Sequence, residues 1–430
     1  MRIRDVASRF AILREARFRS LYLSRAVSYL GDDISPLALS FAVLAVTHSA
    51  AALGVVLAAE TVPMLVLLLV GGVIGDRVSR KPLLVASGVV RGTSKGILAV
   101  LLALGVAGLP AMVVLAAVSG LAAAFSGPAA DGVVPMVVDR ERLVDANALF
   151  QMTVGAAMLV GPLIAALLVV TVGAWLAVGV DGLSFVLSAA LMLRIPLPAA
   201  SRAAMPTTFT HDLAAGWRAF RSQRWASIPV AQHCLFHVFV MAPTFTLGVV
   251  VAEERLGGAG AWGVILAAGG AGSMLGGALA LWHRPARPLV AVALGTMAVA
   301  PQVALLAVPA STAAIAAAAV LSGTGIVYQM VVFNAVQQER VAGDLFARFN
   351  SYSMLASLAG VPIGYLLVGP LSAALGTSRT LWLAALVAVG SSLALLAVPE
   401  IRRFRWLPDE NAGPGLVVTL PAVETPASWE

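Results

Sequence analysis

Gly72-Val-Ile-Gly-Asp76-Arg77-Val-Ser-Arg80-Lys81 is the stretch whose reading decides the fold. It joins two apolar runs, 51–74 before it and 82–105 after it. Each run supplies the ~20 apolar residues that a helix needs to cross a bilayer core of ~30 Å. Arg77, Arg80 and Lys81 hold the connection at one membrane face, as basic loops do. Gly72 permits a close helix–helix approach. Asp76, where the second span leaves the lipid, can pair with a cation or a helix N-terminus.

The same alternation runs through the chain. Twelve spans are expected, at 20–46, 51–74, 82–105, 110–137, 148–171, 174–195, 226–250, 260–282, 287–308, 311–337, 350–372 and 377–398. Of 430 residues, 60% are hydrophobic and 11% charged, against ~45–50% and ~25% in soluble domains. Lipid, not water, has to be the main solvent. The runs are continuous rather than alternating, which excludes a membrane β-barrel. Cys234 is the single cysteine, so neither an intrachain disulfide nor a Cys-based metal cage can form. The six arginines before the first long run (Arg2 to Arg19) are followed by no small-residue cleavage site, and the segment reads as a retained tail.

Orientation follows from the basic residues. Twenty-three of the 28 lie in the tails and loops of one side; the other side holds Arg255 and Arg379, and Arg25, Arg91 and Lys95 fall inside spans. This asymmetry predicts both termini in the cytoplasm and a multi-pass protein of the plasma membrane. It also accounts for the net charge of +7 without nucleic acid, which is not expected as a partner.

The chain divides into a basic tail (1–19), a six-helix half (20–195), an amphipathic linker (196–225), a second six-helix half (226–398) and a tail (399–430) expected to be disordered. The halves repeat weakly. Val134-Pro135, a basic loop, Asn147 and Gly161-Pro162 are echoed by Val336-Gln337, a basic loop, Asn350 and Pro362. Two such halves about a midplane site are a recurrent transporter plan.

The Gly72–Lys81 segment, read as G-x-x-x-D-R-x-x-R-K, resembles the signature loop of the major facilitator superfamily. The fifth span carries Gly155-Ala-Ala-Met-Leu-Val-Gly161-Pro162, which resembles the Gly-Pro element of facilitator exporters. Phe18–Asp32 and Gln337–Ser351 are similar to the branch that holds macrolide-type efflux permeases and enterobactin-type exporters. The resemblance covers about 18–400 and implies an all-α fold of twelve helices in two pseudo-symmetric halves. It further implies export of small molecules, amphiphilic or cationic ones being the first expectation and a siderophore or other natural product the alternative. An uptake permease is a more distant reading, and a transport-dead receptor a different class. Three departures are visible: Ala165-Ala166 where the element closes on two glycines, no arginine within the fourth span, and no Asp in the second-half counterpart of the loop, Gly276–Arg287.

Charged side chains at the centre of a span cost ~2.5–3.5 kcal/mol each on insertion scales. Counted from the basic face, Asp32, Asp33, Glu60, Lys95 and Asp181 lie about 13 residues in, near the midplane of a ~20-residue span. Arg91 lies about 10 in, Arg25 and Asp131 about 6 to 7. All are in the first half. Depth matching suggests the ion pairs Glu60–Lys95 and Arg25–Asp131. Asp32, Asp33 and Asp181 exceed the remaining cations, and an unpaired carboxylate in a low dielectric takes up a proton more readily. Asp32 is the first expectation for a proton-coupling acid, because the first span lines the cavity in the family fold; Asp181 is second and Asp33 third. In the second half Gln329 and Asn334 are expected to line the cavity, while His233 and His237 read as packing residues. No nucleophile–base or metal constellation is present, so neither an enzyme nor a bound cofactor is expected. The expected partners are the bilayer, a small molecule and protons from a gradient, and the chain is expected to act as a monomer.

Overall fold

The computed structural model describes residues 10–77, 79–139, 142–196, 220–341 and 343–406. Every element in it is helical, and among these residues twelve helices are long and apolar enough to cross a membrane. In the first half they are α1 (Ala16–Thr47), α2 (Ala50–Arg77), α3 (Arg80–Ala103), α4 (Leu109–Asp131), α5 (Leu143–Thr171) and α6 (Ala174–Leu193). The second half holds α7 (Arg224–Leu256), α8 (Ala259–Trp282), α9 (Pro288–Ala307), α10 (Thr312–Arg340), α11 (Phe349–Leu375) and α12 (Thr377–Ala397). Large apolar side chains such as Leu104, Leu167, Leu281 and Trp282 stand exposed on these helices. That surface is tolerable only in lipid. The linker 197–219 and the tail 407–430 lie outside the described residues.

Two elements depart from the sequence reading. The fourth span ends at Asp131, and Val134–Val137 forms a separate short helix with Pro135 in its first turn. Pro135 cannot continue α4 because it lacks the N–H. The seventh span is helical throughout but widens to π turns at His237–Met241 and Ala252–Leu256. Turns opposite the basic face are short. α5 and α6 are separated by Val172 and Gly173, and α11 and α12 by Gly376 alone; both glycines take positive φ, which no β-branched residue could adopt there.

In the first half, α1 packs on α5 and α6, α3 on α4 and α6, and α2 on α4. Two pairs of helices carry most of the contact between the halves, α5 with α8 and α2 with α11. Small residues make both possible. A Cβ on Gly263 would stand 2.4 Å from Ala166 Cβ, and one on Gly270 would stand 2.6 Å from the Met158 carbonyl oxygen. Across the other seam, a Cβ on Gly54 would meet the Tyr365 carbonyl oxygen at 2.2 Å, and one on Gly369 would meet Ala51 Cβ at 2.5 Å.

The buried core shows how the halves sit. Away from the basic face, one apolar cluster runs through both halves and includes Leu37, Leu53 and Val178 with Leu247, Trp262 and Leu381. At the basic face the core divides in two. One cluster (Phe18, Leu21, Phe150, Met192) belongs to the first half and the other (Trp225, Leu289, Phe349, Leu395) to the second. Among the described residues, the buried apolar core is therefore continuous between the halves on the side away from the arginines and divided on the arginine side.

Gly263→Val is expected to wedge α8 from α5 and disfavour this arrangement, by the ~1–3 kcal/mol typical of overpacking. In a background with Cys234 replaced, a cysteine at Ala42, which is buried in the apolar cluster shared by the two halves, should react faster with a membrane-impermeant maleimide when Gly263→Val is present. An unchanged rate would show that the seam does not hold that side closed.

Candidate transport site

The basic residues of the Gly72–Lys81 segment do more than mark a face. Arg80 Nη1 donates to the Gly132 carbonyl at 2.5 Å, and Lys81 Nζ donates to the Leu193 and Ile195 carbonyls at 2.8 and 2.7 Å. These carbonyls follow or end α4 and α6, where helices leave unpaired acceptors and a negative dipole end. Arg80 and Lys81 thus tie α3 to the ends of two neighbours. The side chains of Gly72, Asp76 and Arg77 lie outside the described residues.

The midplane charges gather on α1, α2, α3 and α6. Lys95 Nζ stands 3.3 Å from Glu60 Oε1 and 3.3 Å from Asp181 Oδ2, and donates to Ser35 Oγ at 2.6 Å. Lys95 and Asp181 are 3% and 1% exposed. One turn back, Arg91 Nη2 donates to Asp32 Oδ1 at 2.7 Å, and its guanidinium lies 3.7 Å above the Phe185 ring. Glu60 and Lys95 are the pair that depth suggested. The expectation that Asp32 and Asp181 lack cations is corrected: Arg91 and Lys95 sit one helical turn apart on the same face of α3 and reach both. Depth along a span does not reveal which face a side chain occupies, and here facing decides the pairing. Arg25 donates to Tyr29 Oη and lies over that ring; the side chain of Asp131 is outside the described residues.

Asp33 differs. It is half-buried, and among the described residues it makes no hydrogen bond or ion pair. It packs on the Gly-Pro element of α5: a Cβ on Gly161 would stand 2.6 Å from Asp33 Cβ. The next residue, Pro162, presents its carbonyl oxygen to α8, 2.9 Å from where a Gly263 Cβ would be. Asp33, Gly161, Pro162 and Gly263 form one line across α1, α5 and α8. Gly155, further towards the basic face, is looser, with Met274 Cγ at 3.5 Å.

In the second half, Gln329 is corrected from a cavity residue to a packing one. It is 6% exposed, with His233 Nε2 at 3.0 Å from its Oε1, and it presses on Gly295. His233 Nδ1 lies 2.9 Å from the Pro229 carbonyl, and His237 Nδ1 lies 3.0 Å from that of Ser357. Asn334 is exposed on α10 beside Met330 and Val331. Sequence reading missed the second-half glycines (Gly263, Gly270, Gly369) that receive the first half. Their spacing along α8, seven residues between Gly263 and Gly270, is the small-residue signal that marks a close-packed face.

Among the described residues, twelve membrane-length helices form two halves that share one apolar core away from the arginines, around a charged midplane. The chain belongs to the transmembrane secretion effector family of the major facilitator superfamily, whose family model matches residues 7–414. The multidrug efflux pump Tap of Mycobacterium tuberculosis is 28% identical over 411 residues, covering 89% of this chain and 93% of that one; Tap of Mycobacterium bovis matches equally. Among solved structures, the nucleoside transporter NupG superposes with a TM-score of 0.74 at 11% identity, covering 90% of this chain and 99% of that one. A POT family transporter in complex with 5-aminolevulinic acid superposes at 0.72 with 13% identity, covering 90% and 96%. These two share the fold.

Replacing Lys95 by Met leaves Glu60 and Asp181 without their cation. Removing one partner of a buried pair costs ~3–5 kcal/mol, so the melting temperature of the detergent-solubilised protein should fall clearly. Adding Asp181→Asn to Lys95→Met should recover part of the loss. A double variant no more stable than the single one would mean that Asp181 is not balanced by Lys95.

Proposed function

We propose that the protein is a proton-driven exporter of amphiphilic or cationic small molecules across the plasma membrane, with both termini in the cytoplasm. Its halves rock to open the centre first to the basic, cytoplasmic side and then to the outside. The likeness to a multidrug efflux pump over nine-tenths of the chain supports the direction and the breadth of cargo.

The observation that carries the coupling is the line from Asp33 through Gly161-Pro162 to Gly263. It sets a carboxylate that has no counter-cation among the described residues against the helix that packs on the other half. Of the three acids first considered, Asp32 and Asp181 are held by cations, so Asp33 becomes the proton carrier in this reading. In the cytoplasm-open state Asp33 is packed on α5, where a neutral acid is accommodated at lower cost than a bare carboxylate. A proton taken from outside therefore favours closure of the outer seam. Its release to the cytoplasm, together with cargo binding, favours the return.

Everted membrane vesicles energised by respiration and carrying a lumen-acidification dye test this. Adding ethidium or tetraphenylphosphonium should release protons from vesicles that hold the protein. Asp33→Asn should abolish the release at equal amounts of folded protein. Release unchanged in Asp33→Asn would remove Asp33 from the cycle, and export that ignores an uncoupler would remove the proton.

A further inference from the structure

The first half contains a cavity of about 310 Å³, separate from the seam between halves and enclosed by α1, α3, α4 and α6. That is the lower end of the ~300–1,000 Å³ range of small-molecule sites. α1 packs on α6, α6 on α3 and α3 on α4, but α1 and α4 barely touch. The enclosure is open between these two. They are flanked by α5 and α2, the helices that reach the second half, so the open side faces the second half.

The lining is rich in hydroxyls: Ser24, Ser28, Ser87, Ser126 and Ser188, with Tyr29. Most of their protons are already committed. Ser24 Oγ donates to the Ser188 carbonyl at 2.9 Å, Ser87 Oγ to that of Ala122 at 2.7 Å, and Ser126 Oγ to that of Ala123 at 2.9 Å. A hydroxyl that has donated retains lone pairs, so it can only accept from a guest. The two guanidiniums in the lining are turned to acceptors of the protein itself, Arg91 to Asp32 Oδ1 and Arg25 to Tyr29 Oη. Asp32 is the reachable member of its pair, 42% exposed against 13% for Arg91. Among the described residues its second oxygen makes no hydrogen bond.

The charge balance has the same sign. Within the spans α1, α2, α3 and α6, Asp32, Asp33, Glu60 and Asp181 are four carboxylates and Arg25, Arg91 and Lys95 three cations among the described charged residues beyond the basic face. We infer that this cavity is a binding site for the cationic end of cargo, and that it selects a protonated amine bearing further N–H or O–H donors, about the size of one substituted ring. Asp32 receives the ammonium, Arg91 and the Phe185 ring beneath it orient Asp32, and the serine oxygens accept from the remaining donors. The inference rests on the efflux reading for the word cargo; the site itself does not depend on it.

The test uses the full chain in lipid nanodiscs without a gradient and three water-soluble probes. N-methylglucamine carries a protonated amine and hydroxyls, sorbitol has the hydroxyls alone, and tetramethylammonium has the charge without a donor. Binding read by saturation-transfer NMR should favour N-methylglucamine at least about tenfold over either control, the scale of one charge-assisted hydrogen bond. Asp32→Asn should reduce its affinity to the level of sorbitol. Ser28→Leu, which fills the cavity without changing any charge, should abolish binding and decides the matter should Asp32→Asn fold poorly. Equal affinity for the three probes, no binding of any, or a preference that survives Ser28→Leu would overturn the site. Selective binding in a protein that pumps nothing would overturn the efflux reading and leave this one standing.

Discussion

A charge carried from water into the middle of a bilayer needs either a partner or a proton. That constraint organises the first half of this protein. Lys95 is almost wholly buried and stands between Glu60 on α2 and Asp181 on α6, so one ammonium holds three helices together. One turn away, Arg91 does the same for α1 through Asp32, with the Phe185 ring of α6 beneath it. The attraction in such a pair roughly repays its desolvation rather than adding net stability. The value of the network lies in specificity: any slip of α3 against its neighbours would separate several charges at once.

The second constraint is steric. The halves meet through backbone carbonyls and glycines rather than interlocking side chains, at Gly263 and Gly270 on α8 and at Gly54 and Gly369 on the other seam. Helices in lipid gain little from burying apolar side chains against one another, and close backbone approach supplies the dispersion that replaces it. A seam of this kind is smooth. It can open as a unit, because few side chains have to change rotamer. The apolar core, continuous away from the arginines and divided among the described residues at the arginine face, fits one end point of the rocking proposed above.

Much of this was legible in the sequence. The twelve spans follow from length and hydropathy, because lipid leaves a chain no other way to satisfy its backbone. The Glu60–Lys95 pair follows from depth alone. The pairing of Asp32 with Arg91 did not, since it needs the rotation of α1 relative to α3, which sequence period fixes only within one helix. Gln329 misled for a related reason. Polar residues on a span are equally able to face a cavity or a buried neighbour, and the neighbour here is His233, 96 positions earlier. From the loop, Arg80 and Lys81 could be read only as an orientation signal; their hold on the ends of α4 and α6 depends on contacts 52 and more than 100 residues away. Charge counting shows that a face is basic, and only the folded chain shows what the charges touch.

Adjacent acids on one helix are the last link. Successive residues of an α-helix point about 100° apart, so Asp32 and Asp33 cannot serve one site. Asp32 turns to the hydroxyl-lined cavity and to Arg91, whose guanidinium orients it. Asp33 turns to Gly161, where among the described residues it has no counter-cation and borders the helix that packs on the second half. A cation drawn to the first and a proton drawn to the second would each relieve the same excess of negative charge in α1. Each therefore makes the other less favourable, without any contact between them. The exchange proposed above needs such competition, and a single peptide bond separates the two acids that would supply it.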